Sequence, residues 1–192
     1  MEEKLRQEPT NIIKIVLFGP ESTGKTTLSK LLANHFKTEW VPEFAREYLQ
    51  NKWDLEHKTC ENHDLLPIAI GQIQLENELA KKADKLLICD TDILETMVYS
   101  LTYYGGEVDP VLEKAAIANS YDLYLLTSID IPWEKDDLRD RPEQRQEMFN
   151  AFEKALIDYH KPYVLLTGDT INRFKKVVKI IDKLLAEKNL YT

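Results

Sequence analysis

Residues 19–27 have the residue types and the spacing of a phosphate-binding loop. They read Gly-Pro-Glu-Ser-Thr-Gly-Lys-Thr-Thr, follow directly on the apolar run 12–18, and match G-x-x-x-x-G-K-T at the end of a buried strand. Glycines let successive backbone N–H groups of such a loop point at phosphate oxygens. Lys25 is expected to reach the β- and γ-phosphates of ATP, and the Thr26 hydroxyl to bind Mg²⁺. The candidate nucleotide-binding residues of the loop are Gly19, Glu21, Ser22, Thr23, Gly24, Lys25, Thr26 and Thr27.

Two aspartates end a second apolar run. Residues 85–92 read Lys-Leu-Leu-Ile-Cys-Asp-Thr-Asp, which is typical of a buried strand that ends in a metal-binding acid. Asp90 is expected beside the phosphate loop, where it would hold Mg²⁺. Asp92 points the same way if the strand geometry persists, and could meet the substrate or the metal. For both aspartates the alternative is a cap on the following turn.

An acidic and a basic residue follow the predicted strand at 38–42, which is the second strand along the chain. Glu43 lies at the carboxyl end of that strand, where an open parallel sheet has its binding crevice, and could accept the proton of a substrate hydroxyl or fix a sugar hydroxyl. Arg46 comes one helical turn later and could pair with Glu43 or with the transferring phosphoryl group. The alternative for both is an ordinary surface ion pair.

Arginines are concentrated between residues 136 and 145. Arg139, Arg141 and Arg145 precede a predicted helix and are candidates for a lid that neutralises charge during phosphoryl transfer. Acids nearly balance the bases in this stretch, so a solvated charged loop is the alternative.

Several aromatic residues could stack on a ring-shaped substrate, although most are expected to serve packing. Trp40 and Tyr104 are retained as candidate substrate-binding residues. The others considered are Tyr48, Trp53, Tyr103 and Trp133.

Strand and helix patterns alternate along the chain, which favours an α/β fold with a five-stranded parallel sheet covered on both faces. The predicted strands are 12–18, 38–42, 85–90, 122–128 and 163–167. The predicted helices are 26–36, 67–83, 110–119, 143–159 and 172–188. The least regular stretches, 49–66 and 129–142, suit segments that open and close over a site. We expect one three-layer domain over 1–192, with its core at about 12–185.

Composition narrows the classes of partner. The chain has 25 Lys and Arg against 33 Asp and Glu, a net charge of −8, which argues against nucleic acid. It has no apolar stretch of membrane-spanning length and no signal-peptide pattern, and its two cysteines are too few for a disulfide framework. A soluble cytoplasmic protein is expected. The sequence leaves the oligomeric state open.

Four stretches carry a resemblance to a known family: the loop 19–27, Glu43-Phe-Ala-Arg46-Glu-Tyr, Asp90-Thr-Asp92, and Asp137-Leu-Arg139 with Gln144-Arg145-Gln behind it. Over about 12–185 the chain resembles the P-loop ribosylnicotinamide kinase domain of the NadR type, an AAA_28-like kinase of NAD metabolism. The resemblance implies a nucleoside-kinase-like fold and phosphorylation of the 5′-hydroxyl of nicotinamide riboside by ATP and Mg²⁺.

The same resemblance implies roles for individual residues. Asp90 and Asp92 would face Mg²⁺ and the ribose, Glu43 and Arg46 would line the acceptor site, and 139–145 would form the lid. Arg173 would lie near the adenine. The chain departs from the family at Pro42, where such domains tend to carry an aromatic residue. Trp40, on the same strand face, is the candidate to replace it.

Three functions fit these observations. The first is a nicotinamide riboside kinase. The second is a kinase for another nucleoside or small alcohol. The third is a nucleotide-dependent regulatory or assembly ATPase, whose output would be a conformational change rather than a phosphorylated product.

Overall fold

A computed structural model describes residues 2–139 and 142–189 of the chain. Its centre is one sheet of five parallel strands in the order β2-β3-β1-β4-β5. The strands are β1 Ile13–Phe18, β2 Trp40–Val41, β3 Leu86–Asp90, β4 Leu123–Thr127 and β5 Tyr163–Leu166. The predicted five-stranded parallel sheet is therefore confirmed, with every strand inside or close to its predicted range.

Seven α-helices surround this sheet in the described chain. They are α1 Lys25–Phe36, α2 Phe44–Glu56, α3 Leu65–Ala80, α4 Ile93–Tyr103, α5 Pro110–Ala118, α6 Arg145–Asp158 and α7 Thr170–Asn189. Short 3₁₀ turns lie at Glu2–Leu5, Asn62–Asp64 and Pro142–Gln144. None of the helices in the described ranges is both long and apolar enough to cross a membrane.

The sheet separates two apolar cores, which gives the predicted three layers. Ile15 and Leu17 of β1 pack with Leu28 of α1 and Val177 of α7 on one face. Phe18, from the same strand, packs on the other face against residues of α3, α4, α5 and α6. Successive side chains of a strand point to opposite faces, so a strand buried on both sides is apolar throughout. This explains the continuous apolar run that precedes the phosphate loop.

Two helices were not predicted from the sequence. Helix α2 extends into the stretch 49–66, which was expected to be irregular. Because this helix buries none of its residues, its apolar periodicity is faint. Helix α4 follows β3 after only two residues. Between β4 and the turn at Pro142 the described residues form no helix or strand, in agreement with the irregular stretch predicted at 129–142.

Candidate active site

The carboxyl ends of the strands open into a cavity of about 950 Å³. Its wall combines the phosphate loop, the start of α2, one face of α4 and part of the loop after β4. Open parallel sheets bind ligands at this edge because the loops leaving neighbouring strands converge there. The predicted site residues in the wall are Glu21, Ser22, Thr23, Gly24, Lys25, Thr26, Thr27, Trp40, Glu43, Arg46, Asp90, Tyr104 and Arg139.

The phosphate loop is fixed against the end of β4. The Thr23 hydroxyl lies 2.7 Å from the Thr127 hydroxyl and donates to the Pro20 carbonyl at 2.8 Å. Gly19 has φ +136°, and a Cβ there would lie 2.6 Å from Thr127 Oγ1. Gly24, with φ +81°, is the residue immediately before α1. The glycines are therefore required by a tight turn and by close approach of the loop to β4.

Lys25 is buried beneath the loop. Its Nζ donates to the Gly19 carbonyl at 2.5 Å and the Pro20 carbonyl at 3.0 Å, and it lies 3.3 Å from Glu95 Oε1. Burial opposes the positive charge, but the carboxylates of Glu95, Glu43 and Asp90 outweigh it and raise the pKa of Lys25. The ammonium is therefore held as a fixed positive charge at the bottom of the loop.

Asp90 ends β3 and is fully buried. Neither of its carboxylate oxygens has a hydrogen-bond partner of regular geometry among the described residues. Burial and the Glu43 carboxylate raise the pKa of Asp90 to about 7, against the opposing effects of Thr26 and Lys25. A buried acceptor without a donor suits a bound cation, and Mg²⁺ favours one or two protein oxygens together with phosphate and water. Asp90 and the Thr26 hydroxyl therefore fit a Mg²⁺ site.

Asp92 does not lie in this cavity, contrary to the predicted role at the metal or substrate. Thr91 has φ +73°, which breaks the alternation of the strand. Asp92 instead caps α4, where its Oδ1 accepts from the Glu95 backbone N–H at 3.2 Å and its Oδ2 from the Tyr124 hydroxyl at 2.7 Å. The sequence allowed either a role at the metal or substrate or a cap, and the structure shows the cap.

Glu95 is a cavity residue that sequence analysis missed. It lies in the first turn of α4, is 4% exposed, and carries the carboxylate paired with Lys25. Burial raises the pKa of Glu95 well above its usual range, with the Lys25 ammonium opposing the shift. The available signal was Asp92 followed three residues later by Glu95, a pattern typical of a helix start.

Glu43 and Arg46 lie in the wall at the start of α2. This helix is anchored to α3, because the Phe44 backbone N–H donates to Gln72 Oε1 at 2.8 Å. The ring of Phe44 occupies the space that a side chain at Gly71 would need. The sequence suggested that Arg46 could pair with Glu43, but the structure shows a different partner. Arg46 Nη1 contacts Asp136 Oδ2 of the loop after β4 at 2.9 Å.

The three candidate lid arginines differ in position. Arg139 lines the cavity, donates to the Glu134 carbonyl at 2.7 Å and pairs with Asp136 at 3.1 Å. Arg145 is not among the wall residues and donates to the carbonyls of Ser22 at 3.2 Å and Ile131 at 2.9 Å. Burial lowers the pKa of Arg145. Arg141 lies outside the described residues.

Arg173 braces the phosphate loop from below and is not in the cavity wall, in contrast to its expected place near the adenine. It is 1% exposed and donates to the carbonyls of Thr23 at 2.7 Å and Ser128 at 2.9 Å. It also forms an ion pair with Asp130. One buried guanidinium therefore ties α7 to the loops that leave β1 and β4.

Aromatic rings form another part of the cavity wall. Trp40 lies in β2, with Lys30 Nζ 5.2 Å from the centre of its ring. The Tyr104 hydroxyl donates to the Cys60 carbonyl at 2.9 Å. Tyr99 and Tyr103 also line the wall.

The strand order, the phosphate loop after β1 and the buried acid after β3 define a P-loop nucleotide-binding protein of the nucleoside-kinase type. The profile of the AAA_28 family, described as an AAA domain, matches residues 14–173, and the chain belongs to that family.

Two curated relatives differ in name and in how much of their own length this chain covers. The trifunctional NAD biosynthesis/regulator protein NadR of Salmonella typhimurium is 27% identical over 184 residues, which are 94% of this chain and 45% of that protein. The shikimate kinase of Hahella chejuensis is 30% identical over 178 residues, which are 89% of this chain and 85% of that enzyme. The chain spans less than half the length of NadR.

Solved structures agree on the fold. A NadR protein in complex with NR superposes with a TM-score of 0.78 at 20% identity, covering 90% of this chain and 51% of that one. A deoxyadenosine kinase from M. mycoides has a TM-score of 0.62 at 18% identity, covering 89% and 100%. The resemblance to the NadR-type kinase domain and the predicted fold class are confirmed. The arginine lid stays a prediction.

Proposed function

We propose that this protein is an ATP- and Mg²⁺-dependent kinase that phosphorylates the 5′-hydroxyl of nicotinamide riboside, giving nicotinamide mononucleotide. One observation carries the proposal: a single cavity joins the phosphate loop to buried carboxylates and to a wall of tyrosine rings. The loop suits the triphosphate of ATP, the carboxylates suit a hydroxyl, and the rings suit a flat base. The NadR relatives supply the link to NAD metabolism and to NR.

The residues around the loop would hold the nucleotide. Its backbone amides and the fixed ammonium of Lys25 would bind the phosphates and orient the γ-phosphoryl group. Thr26 and Asp90 would hold Mg²⁺, which when bound neutralises charge on the phosphates. Arg173 would keep the loop in its shape through the Thr23 carbonyl.

The transfer step needs a group that takes a proton. The 5′-oxygen forms a bond to the γ-phosphorus, the bond from that phosphorus to the ADP oxygen breaks, and the hydroxyl proton passes to a carboxylate. Glu43 and Asp90 are the sequence-predicted carboxylates that line the cavity and could orient or deprotonate the hydroxyl. Arg139 would neutralise developing charge, with Arg141 and Arg145 as the other lid candidates.

A second candidate is a kinase for another nucleoside or small alcohol. It is favoured by the shikimate kinase relative, because the match covers 85% of that enzyme but only 45% of NadR. Steady-state turnover on a panel of nucleosides and alcohols, shikimate included, separates it from the first. A regulatory or assembly ATPase would bind ATP but phosphorylate no acceptor on that panel.

The decisive experiment is ATP turnover by the purified protein with Mg²⁺, with and without nicotinamide riboside. Both ADP and nicotinamide mononucleotide are followed. Riboside-stimulated ADP matched by mononucleotide is the expected result, while ADP release that ignores the riboside would overturn the proposed acceptor. Lys25→Ala is expected to lower turnover by several orders of magnitude with the fold intact, because the fixed ammonium is lost. Full activity in that variant would overturn the kinase assignment.

A further inference from the structure

Helix α4 brings a further carboxylate, Glu95, to the cavity beside the phosphate loop. Glu95 Oε1 lies 3.3 Å from Lys25 Nζ, so this side chain is adjacent to the group expected to contact the phosphates. Its other oxygen, Oε2, is buried and has no hydrogen-bond partner in the part of the chain that the structure describes. A buried acceptor without a donor is costly, so it is normally completed by a ligand or by water.

The position of Glu95 is imposed by the fold. Asp92 caps α4 through the Glu95 backbone N–H, and Asp92 is itself held by the Tyr124 hydroxyl. The cap fixes the first turn of the helix, and the pairing with Lys25 fixes the carboxylate. This arrangement leaves Oε2 as a pre-oriented acceptor.

The same face of α4 carries aromatic rings. Glu95, Tyr99 and Tyr103 are spaced by four residues, so they lie on one side of the helix, and all three line the cavity. With a rise of about 1.5 Å per residue, Tyr99 and Tyr103 lie about 6 Å and about 12 Å along the helix from Glu95. The face therefore runs from a carboxylate beside the phosphate loop to rings farther away.

Two alternative ligands for Glu95 fit less well. A carboxylate repels phosphate oxygens, and its attraction to Lys25 involves Oε1 rather than the unpaired Oε2. A metal cation is also a poor match, because the Lys25 ammonium already lies 3.3 Å from Glu95 Oε1 and would repel a second positive charge beside the same carboxylate. A hydroxyl group, which can donate to Oε2, is the better match.

We propose that Glu95 binds the acceptor, with Oε2 accepting a hydrogen bond from an acceptor hydroxyl while the tyrosines of α4 contact a flat ring. The chemical class is a hydroxylated compound that carries an aromatic ring, as a nucleoside does. This assignment rests on the proposed function, because it concerns the acceptor end of the same cavity.

The test compares Glu95→Gln and Glu95→Asp with the wild-type protein. Glu113→Gln, an exposed residue of α5, is the matched control. Two quantities are measured: kcat/KM for the acceptor at saturating ATP, and the dissociation constant of ADP by calorimetry. Glu95→Gln is expected to lower kcat/KM for nicotinamide riboside by about 10- to 100-fold, the effect of losing a hydrogen bond to a charged group. ADP affinity should not fall, because losing the Glu95 carboxylate leaves the Lys25 ammonium more available to the phosphates. Glu95→Asp should recover part of the loss in kcat/KM. The control should match the wild type.

The outcomes distinguish a failure of the proposed function from a failure of the role of Glu95. If the wild type ignores nicotinamide riboside but uses another acceptor from the panel, the proposed function fails and the same variants are measured with that acceptor. Unchanged acceptor kcat/KM in Glu95→Gln, or a loss confined to ADP affinity, would overturn the role of Glu95. D-ribose used as efficiently as the riboside would overturn the ring-binding part. A wild type that phosphorylates no acceptor would overturn both proposals, and circular dichroism checks that each variant is folded.

Discussion

Replacement of Tyr124 by phenylalanine tests whether the buried pair between Tyr124 and Asp92 supports the cavity. The hydroxyl donates to Asp92 Oδ2 at 2.7 Å, and both side chains are buried. Burial raises the pKa of Asp92 from 3.8 to about 7, with the Tyr124 hydroxyl and the Glu95 backbone N–H opposing the shift. Removing the hydroxyl should raise this pKa further.

The sign of the pH dependence follows from the raised pKa. Well below pH 3.8 Asp92 is protonated in both the folded and the unfolded chain, so it has no effect on stability. As the pH rises the unfolded chain releases its proton first, and the folded state becomes less favourable by an amount that levels off above about pH 7. At about 1.4 kcal/mol per pKa unit this penalty is on the order of 4 kcal/mol in the wild type.

Tyr124→Phe should therefore be more harmful at high pH. At pH 6 a mostly neutral Asp92 loses an ordinary hydrogen bond, a cost of about 1 kcal/mol, whereas at pH 8 a charged acceptor loses its donor, a cost of about 2–3 kcal/mol. For a chain of this length 1 kcal/mol corresponds to about 2–4 °C in Tm. We expect Tm to fall by about 2–4 °C at pH 6 and by about 4–12 °C at pH 8.

The assay is thermal unfolding followed by circular dichroism at the two pH values. Tyr163→Phe is the matched control, because its hydroxyl lies 3.4 Å from Glu153 in a partly exposed position. It should shift Tm little at either pH. Equal Tm values for Tyr124→Phe and the wild type at both pH values would refute the role of the buried pair, as would a loss of the same size in the control.

Three further predictions concern the nucleotide end of the cavity. Gly19→Ala should weaken ADP binding by at least tenfold in calorimetry, because the methyl group meets Thr127 at 2.6 Å and φ +136° is unfavourable; retained affinity would contradict this. Arg173→Lys should lower Tm by about 3–10 °C and weaken ADP binding, because an ammonium cannot replace the two hydrogen bonds to the Thr23 and Ser128 carbonyls. A melting curve identical to that of the wild type would contradict the bracing role of Arg173. Mg²⁺-dependent ADP binding should weaken as the pH falls below about 7, where Asp90 gains a proton, and Asp90→Asn should abolish this dependence; an unaltered pH profile in the variant would exclude Asp90 as its source.

Much of the candidate site follows from local patterns. The phosphate loop is specified by glycines, a lysine and hydroxyls within nine residues, and the apolar run before it predicts a strand buried on both faces. Asp90 could be predicted for the same reason, since it directly follows a second such run. These features depend on neighbours in the chain, so periodicity and spacing reveal them.

Other parts of the site depend on contacts between distant segments. Asp92 does not line the cavity, because Thr91 has a left-handed backbone conformation that turns the chain after β3. Arg46 pairs with Asp136, 90 residues away in the chain, instead of with its neighbour Glu43. Helix α2 was overlooked because it buries no residue, and its position depends on Gln72 and on the space left by Gly71.

The sequence alone determined the chemistry at the nucleotide end: a P-loop, its lysine and hydroxyl, a strand-end aspartate and a parallel sheet to hold them. Local hydrogen bonds and strand geometry are enough to fix those parts. The tertiary structure determined the remaining features. It places Asp92 at a helix cap, Arg173 beneath the phosphate loop, and Glu95 against Lys25, 70 residues away in the chain. Burial and charge at such positions arise only when separate elements pack together, so a pattern such as Asp92-x-x-Glu95 indicates a helix start but not the buried pair with Lys25.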